Sequence, residues 1–251
     1  MTVQRFIAST VAGISLMASS VFAQSAAPAA ASGSVAKVSV VEGVGQLMRT
    51  TDKDWKPAKP GMILKVGDQV NTQAESFMEI RYTTGAVLRM DENTKITIAS
   101  ATETAASTKT GVGQVWVNMK KMAGSGNQFE VVSPTATAAI RGTVFQMSTA
   151  KDSASDVSVF DGKVAVGPSD DLKKQLKKPV NPEQIGEVPG PEEVPGPYEV
   201  PLETWKMIVA GQKISVRKDG KFAQEKFDMK AAANDAFVKR CQELDKKLAA
   251  E

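Results

Sequence analysis

Arg141 invites a chemical interpretation because it stands among small and apolar residues in the stretch VVSPTATAAIRGTVFQMS, residues 131–148. A guanidinium group carries five N–H donors and is costly to bury without partners. Such an arginine therefore either fastens backbone carbonyls or a carboxylate inside the fold, or binds an anionic ligand.

The neighbours of Arg141 favour the structural role. Pro134 cannot donate to a β-ladder and should end a strand, while Ala136 and Ala138 let two backbones approach closely. Gly142 permits a bend that other residues resist. We therefore predict a packed corner fastened by Arg141, whose replacement by alanine should lower the free energy of unfolding by ~2–4 kcal/mol; a ligand site is the alternative.

The composition argues against an enzyme. The chain of 251 residues contains no histidine, which removes the commonest general base and the imidazole metal ligand. Two carboxylates could still act as in a glycosidase, and Asp91-Glu92 and Glu192-Glu193 are candidates. Adjacent side chains on an extended chain diverge, however, so neither pair indicates a site. We predict no catalytic residue, no cofactor and no metal ion.

Two further residue types could do chemistry. Cys241 is the single cysteine, so it forms no internal disulfide; a small buried hydrophobic role is favoured over a reactive thiol. Trp55, Trp116 and Trp205, together with two tyrosines, could stack on sugars, which keeps binding of a cell-wall polysaccharide open as an alternative function.

The N-terminus has the pattern of a secretory signal peptide in residues 1–23, with one arginine, a moderately apolar stretch and small residues before a cleavage site after Ala23. An uncleaved membrane anchor is the alternative. Residues 24–36, rich in Ala, Ser and Pro, predict a disordered tether. The sequence thus predicts a periplasmic or secreted protein, and its formal net charge of +3 gives no reason to expect nucleic-acid binding.

Residues 37–218 contain short stretches of alternating apolar and polar residues separated by glycine-containing turns, which predicts an all-β domain, either a solenoid or a sandwich. In one predicted hairpin, Met78, Ile80 and Tyr82 share one face, and Glu79 and Arg81 share the other.

A proline-rich insertion, at about residues 169–201, interrupts this domain with an imperfect six-residue repeat of Glu, Val and Pro. It predicts an extended spacer, with docking of a partner as the alternative. The preceding group of Lys173, Lys174, Lys177 and Lys178 is interpreted as a solvated charge run rather than a helical turn.

Residues 219–251 predict a C-terminal amphipathic helix with Asp228 as its N-cap. An apolar stripe at helical spacing should pack on the β domain or on a second copy of the chain. Its members are Met229, Ala233, Phe237, Cys241, Leu244 and Leu248.

Several of these motifs, in this order, resemble the FecR-domain family. The central string Ser133-Pro134, Ala136, Ala138, Arg141-Gly142-Thr143 and Phe145 is similar to the family signature, with serine in place of the usual threonine. Flanking elements carry Gly67-Asp68, Gly162 and Gly211 at positions that resemble family turns, and Thr84 stands where an aspartate is common. These twelve motif residues are expected to be structural.

The resemblance implies a periplasmic, non-catalytic all-β domain that binds an envelope protein or a glycan, as a scaffold or sensory module. The family's namesakes carry a cytoplasmic anti-sigma segment before a membrane helix. Only five residues precede the apolar segment here, so anti-sigma activity is not expected.

Overall fold

The computed structural model describes residues 35–119, 126–176 and 205–250, and in them the chain forms two nine-stranded sheets and three helices. Sheet A consists of β1 (Ala36–Glu42), β4 (Ile63–Leu64), β6 (Phe77–Tyr82), β7 (Ala86–Met90), β10 (Gly113–Met119), β13 (Val144–Thr149), β14 (Ser155–Asp161), β17 (Gln212–Val216) and β18 (Phe222–Lys226). Sheet B consists of β2 (Gly45–Met48), β3 (Lys56–Pro57), β5 (Gln69–Thr72), β8 (Lys95–Ala101), β9 (Ala105–Thr110), β11 (Gln128–Val132), β12 (Ala136–Ile140), β15 (Lys163–Pro168) and β16 (Lys206–Val209). The helices are α1 (Asp170–Leu176), α2 (Met229–Ala232) and α3 (Ala236–Ala250).

The two sheets form a β-sandwich, which confirms the all-β prediction. The strand order is β18-β17-β14-β13-β10-β7-β6-β1-β4 in sheet A and β16-β15-β12-β11-β9-β8-β5-β2-β3 in sheet B. The chain places one or two strands in one sheet and then crosses to the other, so both sheets advance in the same direction. Neighbouring strands are antiparallel except β9 and β11, which run parallel.

The core lies between the sheets and follows the alternation predicted from the sequence. Met78, Ile80 and Tyr82 of β6 are buried in it, and so are Ile96 and Ile98 of β8. Glu79 lies on the opposite face of β6, as the alternation predicts, but it is also buried. The reason is that α3 packs against the outer face of sheet A.

The C-terminal region differs from the single predicted helix. Sheet A continues beyond residue 218 through β18, and two helices follow. Asp228 is the N-cap of α2, as predicted, and accepts a hydrogen bond from the Lys230 amide. The helix then breaks, because the Asp235 carboxylate accepts the Val238 amide at 3.0 Å and so caps a new helix, α3.

The lysine group before the proline-rich insertion is partly helical, so its interpretation as a charge run is wrong for Lys173 and Lys174, which lie in α1. Ser169 explains the helix start: its hydroxyl accepts from the Leu172 amide at 3.1 Å and donates to the Pro134 carbonyl at 2.6 Å. Most of the insertion, the signal peptide and most of the tether lie outside the described residues.

Candidate functional site

The corner between β11 and β12 is fastened by hydroxyl groups. Ser133 Oγ accepts from the Ala136 amide at 2.8 Å and lies 2.7 Å from Ser155 Oγ. Thr135 Oγ1 lies 2.8 Å from Ser155 Oγ and 2.8 Å from the Ser153 carbonyl oxygen. These buried contacts link the turn of sheet B to β14 of sheet A. They therefore fasten the corner, which is the role that the sequence predicted for Arg141.

Other motif residues also have structural positions. Ala136, Ala138 and Phe145 lie in the core, and Thr143 Oγ1 donates to the Lys163 carbonyl at 2.8 Å. Asp68 is buried and accepts from the Lys65 amide at 3.0 Å and from Arg49 at 3.2 Å. The four motif glycines have positive φ, as turns require; they are Gly67, Gly142, Gly162 and Gly211.

Arg141 occupies a different environment from the one predicted. It lies between β12 and β13, where Gly142 has a φ of 77°, and its side chain is exposed. The expectation of a buried arginine fastening a packed corner is therefore wrong. The physical reason is the strand alternation: Ala136, Ala138 and Ile140 point into the core, which turns Thr137, Ala139 and Arg141 outward.

The outward side chains of this segment line a trough on the outer face of sheet B. Three adjoining depressions, of about 500, 300 and 450 Å³, share lining residues and follow β9 and β11. From Ala105 to Thr110 the trough extends about 17 Å at the rise of a β-strand. Part of its floor consists of small outward side chains, which are Ala105, Ser107, Thr137, Ala139 and Ala165, and the longer side chains of Lys109, Gln128 and Glu130 also line it.

Charged and aromatic side chains form the rim of the trough. Arg141 and Lys163 lie at one end, and Met207 lies beside them. At the other end α1 contributes acidic and basic residues next to Trp205. Trp205 and Met207 are large apolar side chains that stay 47% and 59% exposed, which marks this rim as a candidate contact surface.

Part of the outer face of sheet A, in contrast, is covered by α3. Arg89 of β7 is 1% exposed; its Nε donates to Glu79 Oε2 at 2.8 Å and its Nη1 donates to Asp245 Oδ1 at 2.5 Å. Trp116 Nε1 donates to the other oxygen of Asp245 at 2.9 Å. Phe77, Trp116 and Cys241 belong to the apolar cluster between α3 and the sheet.

The pKa directions agree with this buried ionic network. Burial by itself would raise the pKa of Glu79, but hydrogen bonds from Arg89, Ser39 and Arg81 outweigh it, and the net pKa is lowered. Burial opposes the charge of Arg89, yet Asp245 and Glu79 raise its pKa. Burial also raises the pKa of the Cys241 thiol, as expected for an unreactive buried cysteine.

The sequence contained a signal for the Glu79–Arg89 pair. The hairpin through Thr83 and Gly85 places Met78 opposite Met90, and the same register places Glu79 opposite Arg89. It contained no signal that a helix more than 150 residues away would cover this pair, as the bond from Arg89 to Asp245 does. No local pattern indicates the position of Trp205, because its partner in the fold, Gly167, lies on the other side of the proline-rich insertion.

The trough brings together side chains that can form hydrogen bonds, ion pairs and stacking contacts with a ligand. Among the described residues, no group of three or more His, Cys, Asp or Glu side chains could hold a metal ion. Asp91 and Glu92 lie in the turn between β7 and β8 and do not line the trough, and Glu192-Glu193 lies outside the described residues. In the part of the chain that the structure covers, no helix is long and apolar enough to span a membrane.

Comparison with known proteins agrees with the motifs. Residues 68–165 match the family model described as FecR protein, which confirms the sequence resemblance over this segment. No curated protein matches the chain. Two crystal structures of a proposed anti-sigma factor from Parabacteroides distasonis ATCC 8503 are similar over 64% of this chain and 60% of theirs, with TM-scores of 0.44 and identities of 15% and 16%.

Proposed function

We propose that this protein is a non-catalytic binding module of the cell envelope, exported by its N-terminal signal peptide, and that the sheet B trough is its binding surface. The observation that carries the proposal is the asymmetry of the sandwich. Part of the outer face of sheet A is covered by α3, whereas the outer face of sheet B presents a trough lined by Thr137 and Ala139 of β12 and by the motif residue Arg141.

The composition of the trough supports binding of an extended ligand. The depressions follow about 17 Å of strand, and small side chains such as Ala105, Ser107 and Ala139 make up part of their floor. The exposed Trp205, Met207 and Arg141 on the rim belong to the residue types that dominate binding energy at interfaces.

The experiment places a photo-cross-linking amino acid at Met207, on the trough rim, in the full-length protein expressed in its native host. A matched protein carries it at Lys247, an exposed residue of α3. Fractionation of the cells tests export, and mass spectrometry identifies the cross-linked products. We expect the Met207 protein in the periplasmic fraction with a specific product that the Lys247 protein lacks. Retention in the cytoplasm would refute export, and equal products from both positions would refute the trough as the binding surface.

A further inference from the structure

We propose that the α1 end of the trough is a saccharide subsite in which a sugar ring stacks on Trp205; this assignment rests on the proposed function and names its ligand class. A Cβ atom added to Gly167 would lie 2.9 Å from Cδ2, 3.1 Å from Cε2 and 3.1 Å from Cε3 of Trp205. Three neighbouring ring atoms at nearly equal distance mean that the glycine meets the face of the indole. The ring thus lies flat on β15.

The opposite face of the indole ring is available to a ligand. Trp205 remains 47% exposed although one ring face rests on Gly167, and it lines a depression of about 300 Å³. A large flat apolar surface that is held in place and turned to solvent suits the apolar C–H face of a sugar ring.

The polar groups around this ring suit hydroxyl groups better than a charged ligand. The same depression is lined by Glu130, Asp171 and Lys109, and by Lys173, whose ammonium group lies 3.2 Å from Asp170. Carboxylates accept hydrogen bonds from sugar hydroxyls, and ammonium groups donate to them. Because both signs of charge occur side by side, a single anion or cation would meet a repelling neighbour.

A peptide ligand would have fewer hydrogen-bonding partners in this depression than a saccharide. The strands under the trough are hydrogen-bonded to both neighbours from β9 to β15, so their backbone groups are used within sheet B. A peptide lying on this face could not extend the ladder, and its amide groups would depend on a few side chains. Sugar hydroxyls, by contrast, can be satisfied by the charged side chains of the rim.

The test is isothermal titration of the full-length protein with chitotetraose, cellotetraose and xylotetraose, together with sedimentation on insoluble peptidoglycan sacculi. Trp205→Ala removes the stacking ring. Gly167→Ala keeps the ring but places a methyl group where it now lies. Trp55→Ala is the matched control, because Trp55 is a tryptophan outside the trough that contacts Lys95. Circular dichroism confirms that each variant is folded.

We expect binding of at least one of these probes, weakened about tenfold or more by Trp205→Ala and by Gly167→Ala and unchanged by Trp55→Ala. Absence of binding to every probe, or binding that Trp205→Ala leaves intact, would overturn the saccharide assignment. If the Met207 cross-linker then captures a protein specifically, the proposed function stands and only the ligand class is wrong. If it captures nothing specific, both proposals fail.

Discussion

Arg89 and Arg141 carry the same guanidinium group, and the fold places them in opposite environments. Arg89 is enclosed between β7 and α3 with two carboxylates and the Cys241 carbonyl as acceptors. Arg141 is exposed at the end of the trough. Arg89 therefore has the stabilising role, and Arg141 is free to contact a ligand.

Replacing Arg89 by methionine should lower the free energy of unfolding by about 3–5 kcal/mol, because Glu79 would remain buried with its main partner lost. Arg81→Met is the matched control: Arg81 also contacts Glu79, but its side chain is 49% exposed, so the loss should stay below about 1 kcal/mol. Urea unfolding measures both. Adding Glu79→Leu to Arg89→Met should restore part of the lost free energy of unfolding. Equal losses in Arg89→Met and Arg81→Met would contradict a stabilising role that is specific to Arg89.

Arg141→Ala should change the free energy of unfolding by no more than about 0.5 kcal/mol, as for other exposed side chains. The same denaturation experiment tests this prediction. A loss of several kcal/mol would restore the sequence-based view of a buried, fastening arginine. The corner itself should depend on Ser133, whose hydroxyl holds the turn.

Glu79 should also make stability depend on pH. Its pKa is lowered in the folded protein, so its ionised form stabilises the fold at neutral pH, and this contribution is lost as pH falls through the lowered pKa. Asp91, whose pKa burial raises, works in the opposite direction. Melting temperatures between pH 7 and pH 3 should fall less steeply for Glu79→Gln than for the parent protein. Parallel curves would show that Glu79 does not carry this dependence.

At the scale of elements, α3 covers part of the outer face of sheet A through one polar and one apolar contact region. Asp245 links Arg89 to Trp116, and Phe237 packs on Phe77 with ring centroids 6.2 Å apart. Cys241 is a residue of α3 that faces the sheet and is fully buried there. Its thiol therefore becomes accessible when α3 leaves the sheet. The rate of thiol labelling therefore reports how often the helix opens.

Asp245→Asn should increase the rate of Cys241 labelling by roughly tenfold or more, because the charge-assisted bond to Arg89 is lost. The matched control is Glu243→Gln, which removes an exposed carboxylate from the same helix and should leave the rate unchanged. The measurement is labelling by a chromogenic disulfide reagent without denaturant. Fast labelling of the parent protein would show that α3 does not cover the thiol.

The sequence predicted the elements better than their contacts. Alternation identified β6 and β8, and the positive-φ turn at Gly142 followed from residue type, because these features are local. The break at Asp235 was missed because the apolar stripe continues across it. Long-range packing of α3 on β7 and of Trp205 on Gly167 leaves no local pattern, and so the buried arginine and the trough could not be found from sequence.

At the scale of the whole molecule, the two outer faces of the sandwich have different roles. Part of the outer face of sheet A is covered by α3, a helix of the same chain, which stabilises the fold. In β12 of sheet B, Ala136 and Ala138 belong to the core, whereas the alternate residue Ala139 and the following Arg141 line the trough.

The most direct test of these different roles is to fill the trough with a large side chain while leaving the core residues unchanged. Ala139→Trp places an indole on the floor, and Ser158→Trp places one on the outer face of sheet A as the matched control. The amount of specific product captured by a cross-linker at Met207 is then measured for the parent and both variants. We predict that Ala139→Trp abolishes the product while Ser158→Trp leaves it unchanged. Undiminished capture by folded Ala139→Trp would contradict the assignment of the trough as the binding surface.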